Sequence, residues 1–343
     1  MTSGSQPAAR ARPRQQAGAE LAVVHLVRQA NGIEPLRIFL DSYRRHPAGL
    51  EHELVLVFKG FEQGPPGEQY RHLAGELDAR WLSVPDEGFD LGAYCRAARE
   101  LPHRRLAFLN SFSVILADDW LKLLAAPALD PGVGAVAASG SWGSHASHTR
   151  YNLGLGGPYA GVFADRESTQ RVFAELAQGS EEAQAQARGG RVARALRTAG
   201  TIARQSAGFA QFPSPHLRTN GLLIERERWL RICGHPPRDK LAAHRLESGR
   251  RGITARLRSG AQEVLVAGRD GRAYGCADWP ASVTFWQGDQ GNLLIGDNQT
   301  RSYQLGDALR RQVLSGYAWG ERAAPAEPGA PVTHAERTPS EAA

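Results

Sequence analysis

Several residue types and patterns are scarce in this chain of 343 residues, and each scarcity excludes a class of protein. The 3 cysteines are scattered, which predicts neither a disulfide framework nor a cysteine-based metal site and fits a reducing compartment. No apolar run approaches the roughly 18 residues that a membrane-spanning helix needs. The N-terminal stretch carries charges with no apolar run behind them, so we expect no secretory signal and a cytoplasmic protein.

Acidic residues are missing from the stretch between Ala183 and Ile224, although this stretch is rich in arginine. Its six arginines are Arg188, Arg191, Arg194, Arg197, Arg204 and Arg218. The chain has a net charge of +6, and without these six residues it balances at 35 basic and 35 acidic residues. The basic character is therefore local.

A helix over residues 188–204 would place these arginines beside a thin apolar stripe. Two alternatives stay open for it: a solvated insertion packed on the domain, or peripheral contact with an anionic membrane at the inner face of the cell. The stretch lacks a recognition motif and interleaved aromatic residues, so we expect no nucleic-acid partner.

The composition divides the chain into a body and two tails. Residues 1–19 and 321–343 are rich in Ala, Pro, Ser and charge without apolar periodicity, which predicts disorder. The body, residues 20–320, is expected to be one domain with a basic helical insertion over 165–207.

Continuous apolar runs of strand length alternate with helical patterns through the first half of the body. The runs are Leu21–Val27, Leu54–Phe58, Trp81–Val84, Leu106–Leu109 and Val133–Ala138. Strands that are apolar along their whole length are covered on both faces. The pattern therefore predicts an α/β fold, with a mostly parallel sheet and helices on both of its faces. Ligands of such sheets bind at the carboxyl ends of the strands, which draws attention to Arg28, Lys59, residues 86–90 and residues 110–113.

The second half of the body is less regular. Residues 145–160 are rich in glycine and are expected to form a loop, and 165–176 a helix. A short strand is predicted over Leu222–Ile224, and the Gly268–Gly271 turn is expected to join two further strands.

Six segments follow one another in a particular order along the chain. They are Leu21–Arg28, Pro35–His46, Glu53–Phe61, Leu106–Leu124, His216–Leu230 and Leu246–Gly260. Their order resembles that of the GT-A-type, Rossmann-like glycosyltransferases of family 2. Two patches, Gly88–Tyr94 and Glu247–Gly249 with the nearby Lys240, are similar to the rhamnan-synthesis branch of bacterial cell-surface polysaccharide glycosyltransferases. The resemblance covers about residues 20–275.

The resemblance implies a nucleotide-binding half over residues 20–144 and an acceptor and catalytic half over residues 145–320. The implied activity is inverting transfer of a sugar from a nucleotide-sugar donor to a bacterial surface polysaccharide or a lipid-linked glycan. The alternative is a GT-A-like protein that binds a nucleotide or a glycan without catalysis, because a fold does not settle a function.

Glu247 occupies the position of the family's catalytic carboxylate. An acceptor hydroxyl is a weak nucleophile, so a carboxylate must take its proton as the new bond forms. The resemblance therefore implies that Glu247 is the general base. The other interpretation is a solvated glutamate on an arginine-rich helix.

The chain departs from the family at the metal-binding motif. The family has an Asp-x-Asp at the end of its fourth strand, where this chain has Asn110 and Ser111. Neutral side chains are poor ligands for Mg²⁺ or Mn²⁺, so we expect no Asp-x-Asp-bound metal and count a divalent metal as an uncertain cofactor. The diphosphate is then expected to be neutralised by arginine or lysine, with Arg218, Arg150 and Lys59 as the candidates.

Further site residues follow from their positions. The expected donor-binding residues are Arg28, Lys59, Asp90, Asn110, Ser111 and Arg218. Asp90 has a second interpretation, as the N-cap of the helix that follows it. Trp286 is expected to be an acceptor platform, because it lies in a segment rich in Trp, Asn and Gln, and Asn220 is expected to bind the acceptor as well.

Overall fold

The computed structural model describes residues 20–61, 66–75, 77–163, 165–176, 200 and 203–323. The twelve strands of this part are β1 Leu21–Arg28, β2 Glu53–Lys59, β3 Ala79–Val84, β4 Arg105–Leu109, β5 Val114–Ile115, β6 Val133–Ala137, β7 Gly140–Ser141, β8 His216–Leu217, β9 Leu222–Glu225, β10 Glu263–Ala267, β11 Ala273–Tyr274 and β12 Ile295–Gly296. The predicted N-terminal tail, residues 324–343 of the predicted C-terminal tail and most of the basic insertion lie outside the described residues. The start of the predicted C-terminal tail is ordered instead, because Gly320–Arg322 form a short 3-10 helix.

Helices connect most of these strands. They are α1 Glu34–Arg45, α2 Glu68–Gly75, α3 Phe89–Glu100, α4 Trp120–Ala125, α5 His145–Asn152, α6 Arg166–Leu176, α7 Arg226–Cys233, α8 Lys240–Ser248, α9 Ile253–Ser259, α10 Asn298–Gln304 and α11 Ala308–Trp319. Residues 203–208 are helical as well. Among the described residues, no helix has both the length and the apolar character needed to cross a membrane.

Eight strands form one central sheet in the order β11-β10-β6-β9-β4-β1-β2-β3. The pairs β1–β2, β2–β3, β1–β4 and β6–β10 are parallel. Strand β9 runs antiparallel to both β4 and β6, and the edge strand β11 runs antiparallel to β10. The predicted α/β fold with a mostly parallel sheet is confirmed.

Helices cover both faces of the sheet, as the continuous apolar strands require. On one face, α1 and α4 pack large side chains such as Phe39 and Trp120 against the strands. On the other face, α3, α7 and α9 contribute Tyr94, Trp229 and Leu257. The two cores fix the strands, and therefore fix the edge at which the parallel strands end.

The structure corrects two expectations about local structure. The expected 145–160 loop begins with helix α5, whose N-cap Ser144 accepts a hydrogen bond from the Ser147 N–H at 3.1 Å. Cys95 and Cys233, expected to be unpaired, form a disulfide with their Cα atoms 6.1 Å apart, because α3 and α7 pack side by side.

Candidate functional site

Two groups of polar side chains lie where the central strands end. One group follows β1, β2 and β3, and consists of Arg28, Lys59 and Asp86; we call it the Arg28 cluster. The other group lies around the end of β4 and the start of β9, and its members come from three segments. It consists of Asn110, Ser113, Arg218, Asn220 and Asp297; we call it the Asp297 cluster.

The Arg28 cluster is centred on the carboxylate of Asp86. Arg28 donates from Nε to Oδ1 at 3.1 Å and from Nη2 to Oδ2 at 3.0 Å, a fork-to-carboxylate geometry. Lys59 Nζ lies 3.2 Å from Asp86 Oδ1 and donates to the Phe89 carbonyl oxygen at 2.8 Å. Two cations therefore share one carboxylate, which leaves this cluster with a net positive charge.

Burial differs within the Arg28 cluster. The side chains of Arg28 and Asp86 are 41% and 32% exposed, whereas that of Lys59 is 2% exposed. The hydrogen bond from Arg28 is the main reason why the pKa of Asp86 lies below its ordinary value, and Lys59 adds to the effect. Burial lowers the pKa of Lys59, although Asp86 opposes this shift. The open ion pair is accessible to a ligand, while the lysine beneath it is fixed.

Asp90 lies in the first turn of α3 and does not cap it. The N-cap is Gly88, whose φ of 69° lies in the left-handed region that glycine adopts readily. Burial raises the pKa of the Asp90 carboxyl; the positive charge of Lys59 opposes this shift, and the negative charge of Glu247 adds to it. The structure thus brings Asp90 within electrostatic reach of Lys59 and Glu247.

Asn110 is the centre of a hydrogen-bond network at the end of β4. Its backbone N–H donates to Asn220 Oδ1 at 3.1 Å, and its Nδ2 donates to Asp297 Oδ2 at 3.3 Å. Ser113 Oγ donates to the same Asn220 oxygen at 2.6 Å, and Asn220 Nδ2 donates to the Gly296 carbonyl at 3.2 Å. Asn110 and Asn220, predicted for donor and acceptor respectively, therefore belong to one network.

Arg218 and Asp297 form a buried ion pair in this cluster. Arg218 Nη2 donates to Asp297 Oδ2 at 2.6 Å, with side-chain exposures of 10% and 0%. The guanidinium lies 4.2 Å from the centre of the Phe285 ring. Asp297 Oδ1 caps α10 by accepting from the N–H groups of Gln299 and Thr300. Burial raises the pKa of Asp297, but Arg218 and the capping bonds outweigh it, so the pKa lies below its ordinary value.

Glu247 is held near the Asp297 cluster by one residue. Its Oε1 accepts from the backbone N–H of Thr219 at 3.1 Å and from Thr219 Oγ1 at 2.9 Å. Thr219 stands between Arg218 and Asn220, so the carboxylate is tied to the chain segment that supplies two cluster members. It is half-buried, and its partners are neutral donors.

Two predicted residues have different surroundings from those expected. Trp286 was expected to be an open platform, but it is 5% exposed, stacks on Phe285 with ring centres 4.4 Å apart, and donates its indole N–H to the Gln299 carbonyl. It packs in the core because both its apolar ring and its polar N–H find partners there. Ser111 is buried, and it is Ser113 that joins the network.

The Asp297 cluster is a poor match for a divalent cation. Within the described part of the chain, no group of three His, Cys, Asp or Glu side chains could hold a metal ion. The carboxylate that reaches Asn110 belongs to Asp297, and its oxygens already accept from Arg218, Asn110 and two backbone N–H groups. A guanidinium at 2.6 Å would also repel a cation there.

Sequence reasoning missed Asp297 and Thr219, and it included Ser113 only as part of the strand-end range 110–113. Asp297 had a local signal, because Asp followed three residues later by Thr before a helix is a capping pattern. No local signal joins it to Arg218, which lies 79 residues earlier in the chain. Thr219 likewise meets Glu247 across 28 residues, so its role depends on the fold.

Comparisons with known proteins give distant structural matches. No protein-family model matches the chain, and no curated protein does. Among solved structures, it is similar to the mannosyltransferase PcManGT from Pyrobaculum calidifontis in complex with GDP-Man and Mn²⁺, at 19% identity and a TM-score of 0.29, over 36% of either chain. It is also similar to S. aureus TarS 1–349 in complex with UDP-GlcNAc, at 15% identity and a TM-score of 0.28, over 34% of this chain and 33% of TarS. The chain thus spans about a third of the length of these proteins.

Proposed function

We propose that the protein is an inverting glycosyltransferase that uses a nucleotide-sugar donor. The acceptor would be a bacterial surface polysaccharide or a lipid-linked glycan, reached from the cytoplasmic side. The observation that carries the proposal is the convergence of the Arg28 cluster, Asn110 and Glu247 at the carboxyl ends of a mostly parallel sheet, where such folds bind their ligands.

The donor would bind along the ends of β1, β2 and β4. The Arg28–Asp86 pair is partly exposed, so an anionic phosphate can compete with Asp86 for the guanidinium fork. Lys59 adds a fixed positive charge beneath it, and Asp90 would accept hydrogen bonds from the base or ribose. Asn110 would contact the ribose or diphosphate through its position at the end of β4.

Glu247 would act as the general base. Its Oε1 is held by the two donors of Thr219, which orients the carboxylate and leaves Oε2 available for an acceptor hydroxyl. As Glu247 takes that proton, the hydroxyl oxygen bonds to the anomeric carbon from the side opposite the diphosphate. The bond between the sugar and the diphosphate breaks in the same step. The configuration at the anomeric carbon is therefore inverted, and the nucleoside diphosphate leaves. Asn220, which lies next to Thr219, would help to place the acceptor.

The leaving diphosphate would be stabilised by fixed cations of the protein. Arg28 and Lys59 stand in the open cluster, whereas Arg218 is already neutralised by Asp297 and covered by Phe285. Because the donor set around Asn110 is a poor match for Mg²⁺ or Mn²⁺, we assign no step to a metal there.

A non-catalytic nucleotide- or glycan-binding protein is the second candidate. The observation in its favour is the Arg218–Asp297 pair, since a cation with a buried partner contributes little new charge to a reacting diphosphate. Such a protein would bind the nucleotide through the Arg28 cluster and would not depend on Glu247.

A thermal-shift panel tests the donor site. UDP-, dTDP-, GDP- and CMP-linked sugars are each added with Mn²⁺ and with EDTA, because a ligand of the folded state raises the melting temperature. We expect one nucleotide class to raise it, with EDTA and with Mn²⁺ alike. The shift should be lost in Arg28→Ala and kept in the control Arg37→Ala, an exposed arginine of α1.

Two outcomes of this panel contradict the proposal. No shift with any nucleotide sugar would overturn the donor site itself. A shift that disappears on addition of EDTA would overturn the metal-independent part and leave nucleotide binding in place.

A further inference from the structure

An open groove of about 670 Å³ lies beside helix α8, the helix that carries Glu247. It is bounded by the C-terminal end of α7, by α8, by the start of α9 and by residues 207–208. Its volume falls within the roughly 300–1,000 Å³ typical of small-molecule sites. None of the candidate donor residues lines it.

Four arginines surround this groove: Arg245, Arg250, Arg251 and Arg256. No Asp or Glu is among its described lining residues, and none of the four guanidiniums forms an ion pair with a described carboxylate. Four like charges at one cavity repel each other, so an anion that enters the groove relieves this repulsion.

Backbone contacts hold several of these arginines in place. Arg256 donates to the Ile232 carbonyl at 2.7 Å and to the Arg251 carbonyl at 2.8 Å. Arg245 Nη2 donates to the Arg204 carbonyl at 3.0 Å. The Arg250 N–H donates to the Gly208 carbonyl at 2.9 Å. The Arg245 side chain also packs closely on Gly208, where an added Cβ atom would lie 2.5 Å from Arg245 Nε. The rim is therefore built before any ligand arrives.

Apart from the four arginines and His235, the groove is lined mainly by apolar residues. Ile232, Ala242, Leu246 and Pro237 contribute hydrocarbon surface next to the charged rim. A planar guanidinium binds two phosphate oxygens at once. Four arginines therefore suit a ligand with several negative charges better than a ligand with a single carboxylate. The apolar surface suits a hydrocarbon chain attached to that group.

We propose that this groove binds a diphosphate group carried on an apolar chain, as the anchor of the acceptor substrate. The proposal rests on the proposed transferase function and names the substrate class on its acceptor side. Leu246 lines the groove and Glu247 is the next residue, so α8 carries both the wall of the groove and the proposed general base. A glycan attached to the anchored diphosphate would extend from the groove towards Glu247.

Calorimetric titration of the full chain with farnesyl diphosphate and with inorganic pyrophosphate tests this site. We expect farnesyl diphosphate to bind at least tenfold more tightly than pyrophosphate, because the apolar surface contributes only to the former. The double variant Arg250→Ala/Arg251→Ala should weaken farnesyl diphosphate binding at least tenfold. Both residues are exposed, so the fold should be kept. The matched control is Arg231→Ala, an exposed arginine of α7 outside the groove, which should bind like the original chain.

Three results would overturn the proposal. They are equal affinity for pyrophosphate and farnesyl diphosphate, unchanged affinity in the double variant, and no binding of farnesyl diphosphate by the original chain. The nucleotide-sugar thermal shift of the same double variant separates this inference from the proposed function. A normal nucleotide shift with unchanged farnesyl diphosphate binding contradicts only the groove, whereas absence of any nucleotide shift contradicts the donor site.

Discussion

The Arg28 cluster and the Asp297 cluster lie at the same edge of the sheet, yet they hold their charges in opposite ways. In the first, two cations share Asp86, and the Arg28–Asp86 pair is open to solvent at 41% and 32% exposure. In the second, one cation meets one carboxylate at exposures of 10% and 0%, and every oxygen of Asp297 accepts a hydrogen bond. The first is therefore suited to exchange a partner for a ligand, while the second holds segments together.

This difference teaches that charge at the expected edge is not sufficient to identify a ligand contact. The Arg218 guanidinium could bind a phosphate, but it already pairs with Asp297 and packs over the Phe285 ring. Arg28 has the same chemistry and a partner that solvent reaches. Exposure of the pair, rather than residue type, separates the two roles.

Asp297→Asn should have the largest effect on stability. The change leaves the buried Arg218 without its counter-ion while the side chain can still cap α10, and breaking such a pair costs about 3–5 kcal/mol. The free energy of unfolding from urea titration measures this loss. If the free energy of unfolding falls by no more than the loss of an exposed ion pair would cause, the distinction between the two clusters is contradicted.

His25 on β1 allows a pH test that separates buried groups from the open cluster. Its ring is fully buried and stacks on Phe39, both ring nitrogens are without a hydrogen-bond partner in the described structure, and burial lowers its pKa to about 3. The unfolded chain takes up this proton near pH 6.5, so the folded state loses stability as the pH falls from about 6.5 towards 3.

His25→Leu should therefore reduce the acid sensitivity of the fold. At pH 5 the histidine costs about 2 kcal/mol relative to pH 7, and the leucine variant should be spared this loss. The Asp297 pair has a lowered pKa, so its contribution is kept at pH 5 and lost only as the pH falls below the ordinary carboxyl pKa of about 3.9. Urea unfolding at pH 7 and pH 5 checks this; equal acid sensitivity of both proteins would contradict it.

Arg28→Gln should have the smallest effect on stability. Exposed ion pairs contribute at most about 1 kcal/mol, and Asp86 keeps Lys59 as its partner. Nucleotide-sugar affinity should fall at least tenfold in the same variant, because a charged phosphate contact is removed. Urea unfolding and calorimetric titration measure the two quantities, and a large loss of stability with unchanged affinity would reverse the assignment of roles.

Most of the sheet could be predicted from the sequence, because strands that are buried on both faces appear as continuous apolar runs. Such runs gave β1, β2, β4 and β6 within one or two residues. Apolar runs do not encode the direction of a strand, so the sequence did not predict that β9 runs antiparallel between β4 and β6. Helix α5 was missed because its weakly amphipathic sequence is surrounded by glycines.

The sequence could predict which polar side chains lie at the strand ends, but not which partners they have there. Positions at strand ends pointed to Arg28, Lys59 and Asn110. The ion pairs that decide their roles join residues far apart in the chain, 58 residues for Arg28 with Asp86 and 79 for Arg218 with Asp297. Such pairs depend on the finished sheet. The disulfide between Cys95 and Cys233 spans 138 residues and was missed for the same reason.

Glu247→Gln tests the central claim most directly. The assay measures release of the nucleoside diphosphate, with the same donor and acceptor on which the original chain is active. Glutamine keeps the shape and the acceptor oxygen that Thr219 needs, but it cannot take a proton. The account predicts a fall in rate of about 10²–10⁴-fold, with nucleotide-sugar affinity unchanged within about twofold. The control Glu227→Gln, an exposed glutamate of α7, should keep the original rate. A Glu247→Gln protein as active as the original would contradict the assignment of Glu247 as the general base.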